Sequence, residues 1–258
     1  GGLVGSEMCI RDRRWACEGA RIALLDFEAD HLAEAAEALG KAGAEVFPVV
    51  ADVTDYAGCK RAVEAVSGHF GRIDVLVNNA GTVHRSAFVD TDIEVYRKVM
   101  EVNFFGSLNC SKAALPHLLE TRGLIVVISS IAGIAPLYGR TGYAASKHAL
   151  HGLFDSARTE LQERGVRVML VCPNFTRSPF EQRAMGADGR PAGTERSMTG
   201  RLAEPGEVAA AVVAGARRGK NLLVLTALGK LAYYLSRLAP GLYARGMVRR
   251  LRTGQEVR

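Results

Sequence analysis

The side chains between positions 129 and 147 include the types needed to move a proton to or from a carbonyl oxygen. Tyr143 and Lys147 are four residues apart in a segment of small residues, so on a helix they share one face. Ser129 and Ser130 follow the apolar run Ile125–Ile128 and offer a hydroxyl from the end of a strand. A free tyrosine has a pKa near ~10, and a neighbouring ammonium favours its phenolate. The sequence therefore predicts a proton-transfer group of serine, tyrosine and lysine.

The elements around this group alternate between apolar strands and helices. Strands are predicted at residues 21–27, 45–50, 73–77, 124–129, 166–172 and 221–226, and helices at 30–39, 55–69, 92–120, 143–164 and 205–218. Asp30 is the expected N-terminal cap of the first of these helices. Continuously apolar strands that alternate with helices are typical of a parallel sheet covered on both faces. The predicted fold class is α/β, a doubly wound, Rossmann-like and mostly parallel sheet that binds ligands at the carboxyl ends of its strands.

The composition argues against several classes of protein. The 258 residues are 48% hydrophobic, yet the sequence has no apolar run of about twenty residues that would span a membrane. The five cysteines have no CxxC spacing, which favours free thiols in a reducing, cytoplasmic environment and argues against a metal site. The net charge is +6, but no nucleic-acid-binding motif accompanies it. We expect neither a metal nor a nucleic-acid partner.

Five motifs, taken in order, resemble those of the classical short-chain dehydrogenase/reductase family. They are Asn78-Asn79-Ala80-Gly81, Asn103 in V-N-F-F-G, Ser130, Tyr143-Ala144-Ala145-Ser146-Lys147, and Pro173 with the residues that follow it. A lone YxxxK motif occurs by chance in many proteins, whereas the ordered set at strand ends is specific. The resemblance extends from Arg14 to about Thr226. It implies hydride transfer between a nicotinamide cofactor and an alcohol or a ketone.

The resemblance also implies a role for each catalytic residue. The family's serine lies thirteen residues before its tyrosine, which selects Ser130 over Ser129. Ser130 would orient the substrate oxygen, Tyr143 would act as general acid/base, and Lys147 would also hold the ribose next to the nicotinamide. Asn103 would distort its helix and anchor a water chain to the lysine. The alternatives are that Tyr143 is a packed aromatic ring, Lys147 a surface cation and Asn103 a polar residue in a helix bend.

Asp26 ends the strand that the family uses to bind adenosine, and it indicates NAD rather than NADP. A carboxylate there accepts hydrogen bonds from the ribose and repels a 2′-phosphate. The alternative is that Asp26 caps the next segment. The other cofactor residues implied by the resemblance are Asp52 and Val53 at the adenine, Asn79, Ala80 and Gly81 along the backbone, and Pro173, Asn174, Thr176 and Ser178 at the carboxamide. The last three depart from the family's usual residues, so the pose of the nicotinamide is less defined.

The first thirteen residues follow neither a strand nor a helix pattern. Their segment V-G-S-E-M-C-I-R-D-R resembles translated sequencing-adapter DNA, so we expect a non-native leader at 1–13, a missing natural N-terminus and no first strand. The glycines of the family's phosphate loop fall on Gly2, Ser6 and Met8, of which one matches. Since glycines let the backbone approach a pyrophosphate, we expect this chain to bind NAD weakly or not at all.

The domain predicted at 14–226 is followed by a basic, amphipathic helical extension at 227–258. Its first apolar stripe consists of Leu228, Leu231, Tyr234, Leu235 and Leu238. Pro240 and Gly241 interrupt the helix, and a second segment rich in arginine follows. Residues 228–252 could contact an anionic membrane surface. The alternatives are a solvated face, packing against a partner subunit, or packing against the protein's own substrate lid.

We therefore expect an NAD-dependent dehydrogenase or reductase that acts on a fairly apolar small molecule, with residues 181–200 as the substrate lid. The resemblance also implies a homodimer or a homotetramer. A second hypothesis is a catalytically silent protein that keeps the fold and binds a membrane surface or another subunit. The intact set of Asn103, Ser130, Tyr143 and Lys147 favours the enzyme for the parent protein, whereas the altered phosphate-loop positions favour inactivity of this chain.

Overall fold

The computed structural model describes residues 14–174, 176, 183–193 and 202–253, apart from the side chains of residues 250–253. The expected leader at 1–13, part of the expected lid, and the last five residues lie outside the described residues. Ser178, assigned above to the cofactor, also lies outside them.

The described chain alternates strands and helices. The strands are β1 (Ile22–Asp26), β2 (Val46–Val50), β3 (Val75–Asn78), β4 (Leu124–Ile128), β5 (Arg167–Cys172) and β6 (Leu222–Val224). The helices are α1 (Ala29–Lys41), α2 (Tyr56–Phe70), α3 (Ile93–Met100), α4 (Gly106–Thr121), α5 (Thr141–Leu161), α6 (Pro205–Arg217), α7 (Ala227–Leu238) and α8 (Pro240–Thr253). A π-helical segment (Glu101–Phe105) joins α3 to α4, and a 3-10 turn (Ile131–Gly133) follows β4. The predicted α/β class is confirmed.

These strands pair in parallel and form two sheets, with the orders β1–β2 and β3–β4–β5–β6. In the larger sheet Val77 pairs with Val126, and Val126 pairs with Met169. The strand β4 has a partner on each side and is almost entirely buried, whereas β3 is half-buried along most of its length. Among the described strands none pairs with both β1 and β3, so the sheet predicted as one is present in two parts.

Side-chain contacts join the two sheets. Residues 14–16 are helical, and Gly19 follows them with a φ of 81°, as expected for a helix stop. Trp15 packs both against the core beneath β1 and against the core beneath β3, β4 and β5. Arg21 donates from Nη2 to the carbonyl of Phe70 at the end of α2, at 2.9 Å. These contacts position the small sheet against the large one.

Helices cover both faces of the larger sheet. On one face Ile125, Val127 and Leu170 pack against α2, α4 and α5. On the other face Val126 and Met169 pack against α6. Successive side chains of a strand point to opposite faces, so a strand that is covered on both sides is apolar throughout. This coverage explains the continuous apolar run of β4 and leaves the carboxyl ends of the strands as the place for a site.

The start of α1 differs from the prediction. The helix begins at Ala29, and its N-cap is Glu28, whose side chain makes no capping hydrogen bond. The Asp26 carboxylate instead accepts the Glu28 N–H at 3.0 Å. The predicted cap at Asp30 is wrong, because the carboxylate at the end of β1 already satisfies the turn and Asp30 falls in the first turn of the helix.

The predicted C-terminal helices are present as α7 and α8, and α8 begins at Pro240. The inner face of α7 packs on the turn that follows β4. Arg237 donates from Nη1 to the carbonyl of Ile134 at 2.8 Å. Gly229 lies so close to Ile131 that a Cβ would collide with its side chain. Within the described residues, no helix combines the length and the apolarity that crossing a bilayer requires.

Candidate active site

The carboxyl ends of β3, β4 and β5 bring the predicted catalytic segments together. Asn78 ends β3, Ser129 and Ser130 follow β4, and Pro173 follows β5. The Ile131 N–H donates to the carbonyl of Pro173 at 3.1 Å, which holds the segment after β4 against the end of β5. This proximity follows from the parallel pairing, because all strands then end at the same edge.

Tyr143 and Lys147 lie in the first two turns of α5 and are buried, with exposures of 7% and 4%. Their spacing brings the Lys147 Nζ to 5.8 Å from the centre of the Tyr143 ring. Nζ also donates to the carbonyl of Ile128 at 2.9 Å. The alternative of a surface cation is therefore excluded for Lys147. Tyr143 does pack among apolar side chains, including Val83 and Met185.

The two candidate serines have different surroundings. The Ser130 Oγ accepts the Ala132 N–H at 3.1 Å, and Ala132 packs in the same apolar cluster as Tyr143. The Ser129 Oγ instead forms a hydrogen bond with Nε2 of His151 at 3.1 Å. The turn that begins at Ser130 therefore packs through Ala132 against the start of α5, which carries Tyr143.

Asn103 is fully buried in the π-helical segment between α3 and α4. Its Oδ1 accepts the Thr82 N–H at 2.7 Å, and its Nδ2 donates to the Thr82 carbonyl at 3.0 Å and to the Ser146 Oγ at 2.8 Å. Ser146 in turn donates to the carbonyl of Tyr143 at 2.8 Å. The helix distortion implied by the resemblance is present, and Asn103 connects the segment after β3 to the helix that carries the phenol.

A second cluster of polar groups lies beneath the Ser130 turn. His151 contacts both Ser129 and Cys172, whose Sγ is 3.6 Å from Nε2. Burial lowers the pKa of His151 to about 4, although Asp155 at 4.0 Å opposes this shift. Burial also raises the pKa of the Cys172 thiol to about 12. At neutral pH this cluster holds a neutral imidazole and a protonated thiol.

The residues assigned to the adenine lie at the carboxyl ends of β1 and β2. A cavity of about 360 Å³ opens there, lined by Phe27, Val49, Val50, Ala51, Asp52, Asp55, Gly58, Arg61 and Ala62. The Asp52 Oδ1 accepts both the N–H and the hydroxyl of Thr54 at 2.8 Å. Asn109 donates from Nδ2 to the carbonyl of Val53 at 3.0 Å. Asp26 lies beside this region, since it pairs in register with Val50.

Hydrogen-bonding groups that suit a dinucleotide lie at both ends of this edge of the two sheets, near Asp26 and near Pro173. Asp26 uses Oδ1 to accept the Glu28 N–H, so the capping alternative is also present, but a carboxylate has lone pairs for further donors. The segment Asn79-Ala80-Gly81 follows β3 directly, where its backbone can approach a ligand. At the other end Pro173 and Asn174 continue from β5, and the Thr176 hydroxyl donates to the Asn174 carbonyl at 3.3 Å.

Sequence analysis assigned no role to two residues that make hydrogen bonds at the start of α5, namely His84 and Ser146. His84 is fully buried, and its Nε2 accepts the Gly142 N–H at 2.9 Å. Burial, together with the smaller effect of the nearby charge of Arg140, lowers the pKa of His84 to about 4. Ser146 lies within the YxxxK motif, which could have marked it. No local pattern marks His84.

Comparison with known proteins gives a consistent result. The family model described as short chain dehydrogenase matches residues 4–187. The chain is 35% identical over 242 residues to the Dehydrogenase/reductase SDR family member 7B of Bos taurus. The aligned region covers 91% of this chain and 74% of that protein. The Mus musculus protein of the same name is 37% identical over 80% of this chain, but over only 64% of its own length.

Solved structures share the fold. A variant of actinorhodin polyketide ketoreductase with NADPH superposes with a TM-score of 0.75 at 27% identity, covering 87% of this chain and 93% of that one. A short chain dehydrogenase/reductase from Burkholderia phymatum in complex with NAD gives a TM-score of 0.78 at 22% identity, covering 90% of each chain. Proteins with this fold thus hold NAD in one case and NADPH in another.

Proposed function

The chain belongs to the short-chain dehydrogenase family of oxidoreductases, and on that premise we propose that it interconverts a fairly apolar secondary alcohol and its ketone with NAD. The observation that carries the proposal is the buried pair of Tyr143 and Lys147 at the carboxyl edge of the sheet. A phenol and an ammonium with almost no access to water suit proton transfer, since charge then acts at low dielectric. The hydrogen bonds from Asn103 through Ser146 support a fixed geometry for the pair.

Each residue then has a defined task. Tyr143 takes the proton of the alcohol in oxidation and returns it to the ketone oxygen in reduction. Ser130 donates a hydrogen bond to the same oxygen and orients it, and the charge of Lys147 favours the phenolate. Asn103 keeps the helix of Tyr143 against the segment after β3. When bound, a nicotinamide cofactor accepts or supplies the hydride.

The preference for NAD is part of the proposal. Asp26 would accept hydrogen bonds from the adenosine ribose, Asp52 and Val53 would flank the adenine, and Pro173 and Asn174 would contact the carboxamide. Asn79, Ala80, Gly81, Thr176 and Ser178 complete the proposed cofactor residues. Because only one of the three positions that correspond to the family's phosphate-loop glycines is a glycine, we expect weak affinity. Micromolar binding of NAD in a calorimetric titration would contradict that expectation.

The surroundings of the phenol support an apolar substrate. Tyr143 packs with Val83, Val95 and Val99, and with Ala184 and Met185 from the expected lid. These side chains are all apolar and suit the hydrocarbon part of a substrate. The inner face of α7 also packs against the turn after Ser130, which favours a cover over this part of the site.

A panel of secondary alcohols and ketones of increasing chain length, assayed with NAD and with NADP at high concentration, tests the proposal. We expect kcat/KM to rise with apolar chain length and to be greater with NAD. Tyr143→Phe should lower kcat by about 10³-fold, since the ring remains and the proton donor is lost. The matched control is Tyr234→Phe at a residue that is 60% exposed on α7. Activity that survives Tyr143→Phe would refute the mechanism.

A second role is favoured by the outer surface of α7 and α8. Leu231, Tyr234, Leu238 and Leu242 are 59%, 60%, 83% and 59% exposed. Residues 227–253 include Lys230, Arg237, Arg245 and Arg249 but no acidic residue. Apolar side chains among cations suit the surface of an anionic membrane, so we propose a peripheral contact there. The same contact would serve the alternative, a catalytically silent membrane-peripheral or subunit-binding protein.

Vesicle co-sedimentation separates a membrane contact from a subunit interface. We expect the chain to sediment with vesicles that contain phosphatidylserine and less with phosphatidylcholine alone, and Leu238→Ser with Leu242→Ser to weaken the binding. A homodimer or homotetramer is expected from the resemblance, and light scattering measures it. If the double variant dissociates the oligomer and vesicle binding is absent, the exposed stripe is a subunit interface instead.

A further inference from the structure

A chain of hydrogen bonds runs from the first turn of α5 through His84 to the loop before α3. The His84 Nε2 lies 2.9 Å from the Gly142 nitrogen, and its Nδ1 lies 3.1 Å from the Ser86 Oγ. The Ser86 Oγ lies 2.7 Å from the Thr91 Oγ1, which donates to the carbonyl of Ala87 at 2.6 Å. His84 has no exposed surface, so water does not compete for these contacts.

Both ends of this chain determine which nitrogen of His84 carries the proton. The Ala87 carbonyl can only accept, so it takes the single hydrogen of the Thr91 hydroxyl. Ser86 must then donate to Thr91 and accept from His84, which requires a hydrogen on Nδ1. At the other end a backbone N–H can only donate, so Nε2 must accept from Gly142. The two requirements agree on the neutral Nδ1–H tautomer.

The contact with Gly142 satisfies an amide that the helix itself leaves without a partner. Gly142 is the second residue of α5, and the N–H groups of a first helical turn have no acceptor within the helix. The N-cap residue, Arg140, makes no side-chain capping hydrogen bond. His84, at a distance of 58 residues along the chain, supplies the acceptor that a capping side chain normally provides.

The helix turn and His84 fit closely together. A Cβ at Gly142 would lie 2.9 Å from Cδ1 of Tyr96 and 3.1 Å from Nε2 of His84, so a larger residue would displace both rings. The segment of His84 is itself tied down on either side. The Ser86 N–H donates to the Gly139 carbonyl at 3.0 Å, and the residue before His84 accepts the Met185 N–H at 2.9 Å.

We propose that His84 is a positioning residue for Tyr143, the next residue after Gly142. It holds the first turn of α5 through a neutral imidazole and thereby sets the place of the phenol relative to the substrate oxygen. This inference rests on the proposed function for the role of Tyr143, but the tautomer and the hydrogen bond are independent of it. The charged group that faces His84 is Arg140, and the ring of Tyr96 lies 5.7 Å away.

Two conservative variants separate positioning from packing. His84→Gln places an amide oxygen near the position of Nε2 and keeps an acceptor for Gly142. His84→Asn has a similar polarity but reaches only as far as Nδ1, so the Gly142 N–H loses its acceptor. At saturating substrate and cofactor, we expect His84→Asn to lower kcat about 10²-fold with little change in KM, and His84→Gln to restore most of it. Equal losses in both variants would overturn the proposal.

A third variant and a spectroscopic measurement keep the test decisive if His84→Asn unfolds. Ser86→Ala removes the acceptor of Nδ1–H together with the donor to Thr91, but the backbone hydrogen bond from Ser86 to the Gly139 carbonyl remains, so it should leave the fold intact and lower kcat severalfold. Long-range ¹H–¹⁵N spectra of the unmodified chain should show an unprotonated Nε2, and hydrogen exchange at Gly142 should be slow and become faster in Ser86→Ala. A protonated Nε2 or fast exchange at Gly142 would refute the positioning contact. The control is His148→Gln on the exposed side of α5.

Turnover on one side, and the tautomer of His84 with the hydrogen exchange at Gly142 on the other, test the proposed function and this inference separately. A chain that is saturated with NAD and turns over no alcohol or ketone would refute the proposed function. The tautomer and the exchange at Gly142 would still decide whether His84 holds the helix turn.

Discussion

The two ends of the site are built in different ways. At the catalytic end Asn103, Tyr143 and Lys147 are 0%, 7% and 4% exposed and are held by hydrogen bonds from distant segments. At the end proposed to bind adenosine, Phe27 and Val50 are 65% and 60% exposed, around an open cavity. Groups that transfer a proton must be held in one geometry, whereas a cofactor-binding surface has to admit its ligand. Burial and hydrogen bonds within the chain therefore fix the geometry at the proposed catalytic end.

The largest effect should come from the charge at the catalytic end. Lys147→Met keeps the apolar stem but removes the ammonium, so we expect kcat to fall about 10³-fold because the phenolate loses its neighbouring charge. Unfolding should change by only about 1–2 kcal/mol, since one hydrogen bond to the Ile128 carbonyl is lost. Steady-state kinetics and thermal unfolding measure the two effects. The control is Lys112→Met at an exposed position of α4, and activity of Lys147→Met within tenfold of the parent would contradict the comparison.

A destabilising change in one sheet should speed amide exchange mainly within that sheet. Leu150 on α5 and Leu39 on α1 are both fully buried, and each change to alanine should cost about 3 kcal/mol. Because the described strands of the two sheets do not pair with each other, Leu39→Ala should speed amide exchange mainly within residues 22–50. Leu150→Ala should speed it throughout β3–β6. Uniform acceleration by both variants would show instead that the sheets unfold as one unit.

Acid should destabilise the catalytic end. The pKa values of His84 and His151 are lowered from 6.5 to about 4, chiefly by burial. As the pH falls below 6.5 the unfolded chain binds protons that the folded chain does not, so stability is lost between pH 6.5 and 4. The loss should reach about 3 kcal/mol for each imidazole. The charges that modify these values are Arg140 near His84, and Asp155, His148, Arg237 and Arg158 near His151.

Urea unfolding at pH 7, 5.5 and 4.5 measures this loss. The variants His84→Gln and His151→Gln should each flatten the dependence on pH, because glutamine does not titrate. A parent protein that is equally stable at all three pH values would show that neither imidazole is kept neutral by the fold.

The smallest effect is expected at the adenosine end. Asp26→Ser removes the negative charge that would repel a 2′-phosphate, so the ratio of kcat/KM for NAD to that for NADP should fall about tenfold or more. Stability should change little, because Asp26 is only partly buried and its hydrogen bond to the Glu28 N–H can be replaced by the serine. The control is Asp30→Ser on the exposed side of α1. An unchanged ratio would leave Asp26 as a cap for the turn alone.

Local patterns predicted the elements of the fold well. The apolar run before Ser129 forms β4, and the spacing of Tyr143 and Lys147 places both on one side of α5. Both predictions depend on neighbours within a few residues, where strand alternation and helix periodicity act. The predicted cap at Asp30 was wrong, because the acceptor that satisfies the turn is Asp26 at the end of the preceding strand.

Contacts between distant segments were not predictable in this way. The thiols of Cys59 and Cys110, which are scattered in the sequence, lie 3.8 Å apart between α2 and α4. The pairing of Ser129 with His151 and the division into two sheets were likewise not foreseen. Each depends on how helices pack on the sheet, and a single sequence carries no periodic signal for such a contact.

The sequence by itself determined the class of fold, the order of its elements and the residue types that can transfer a proton. It could do so because periodicity, turn residues and the YxxxK spacing are local properties of the chain. Only the tertiary structure decided that Lys147 is buried against the Ile128 carbonyl and that Asn103 connects to α5 through Ser146. It also decided that His84 caps Gly142, because that hydrogen bond joins residues 58 positions apart that meet only after the sheet and its helices have packed.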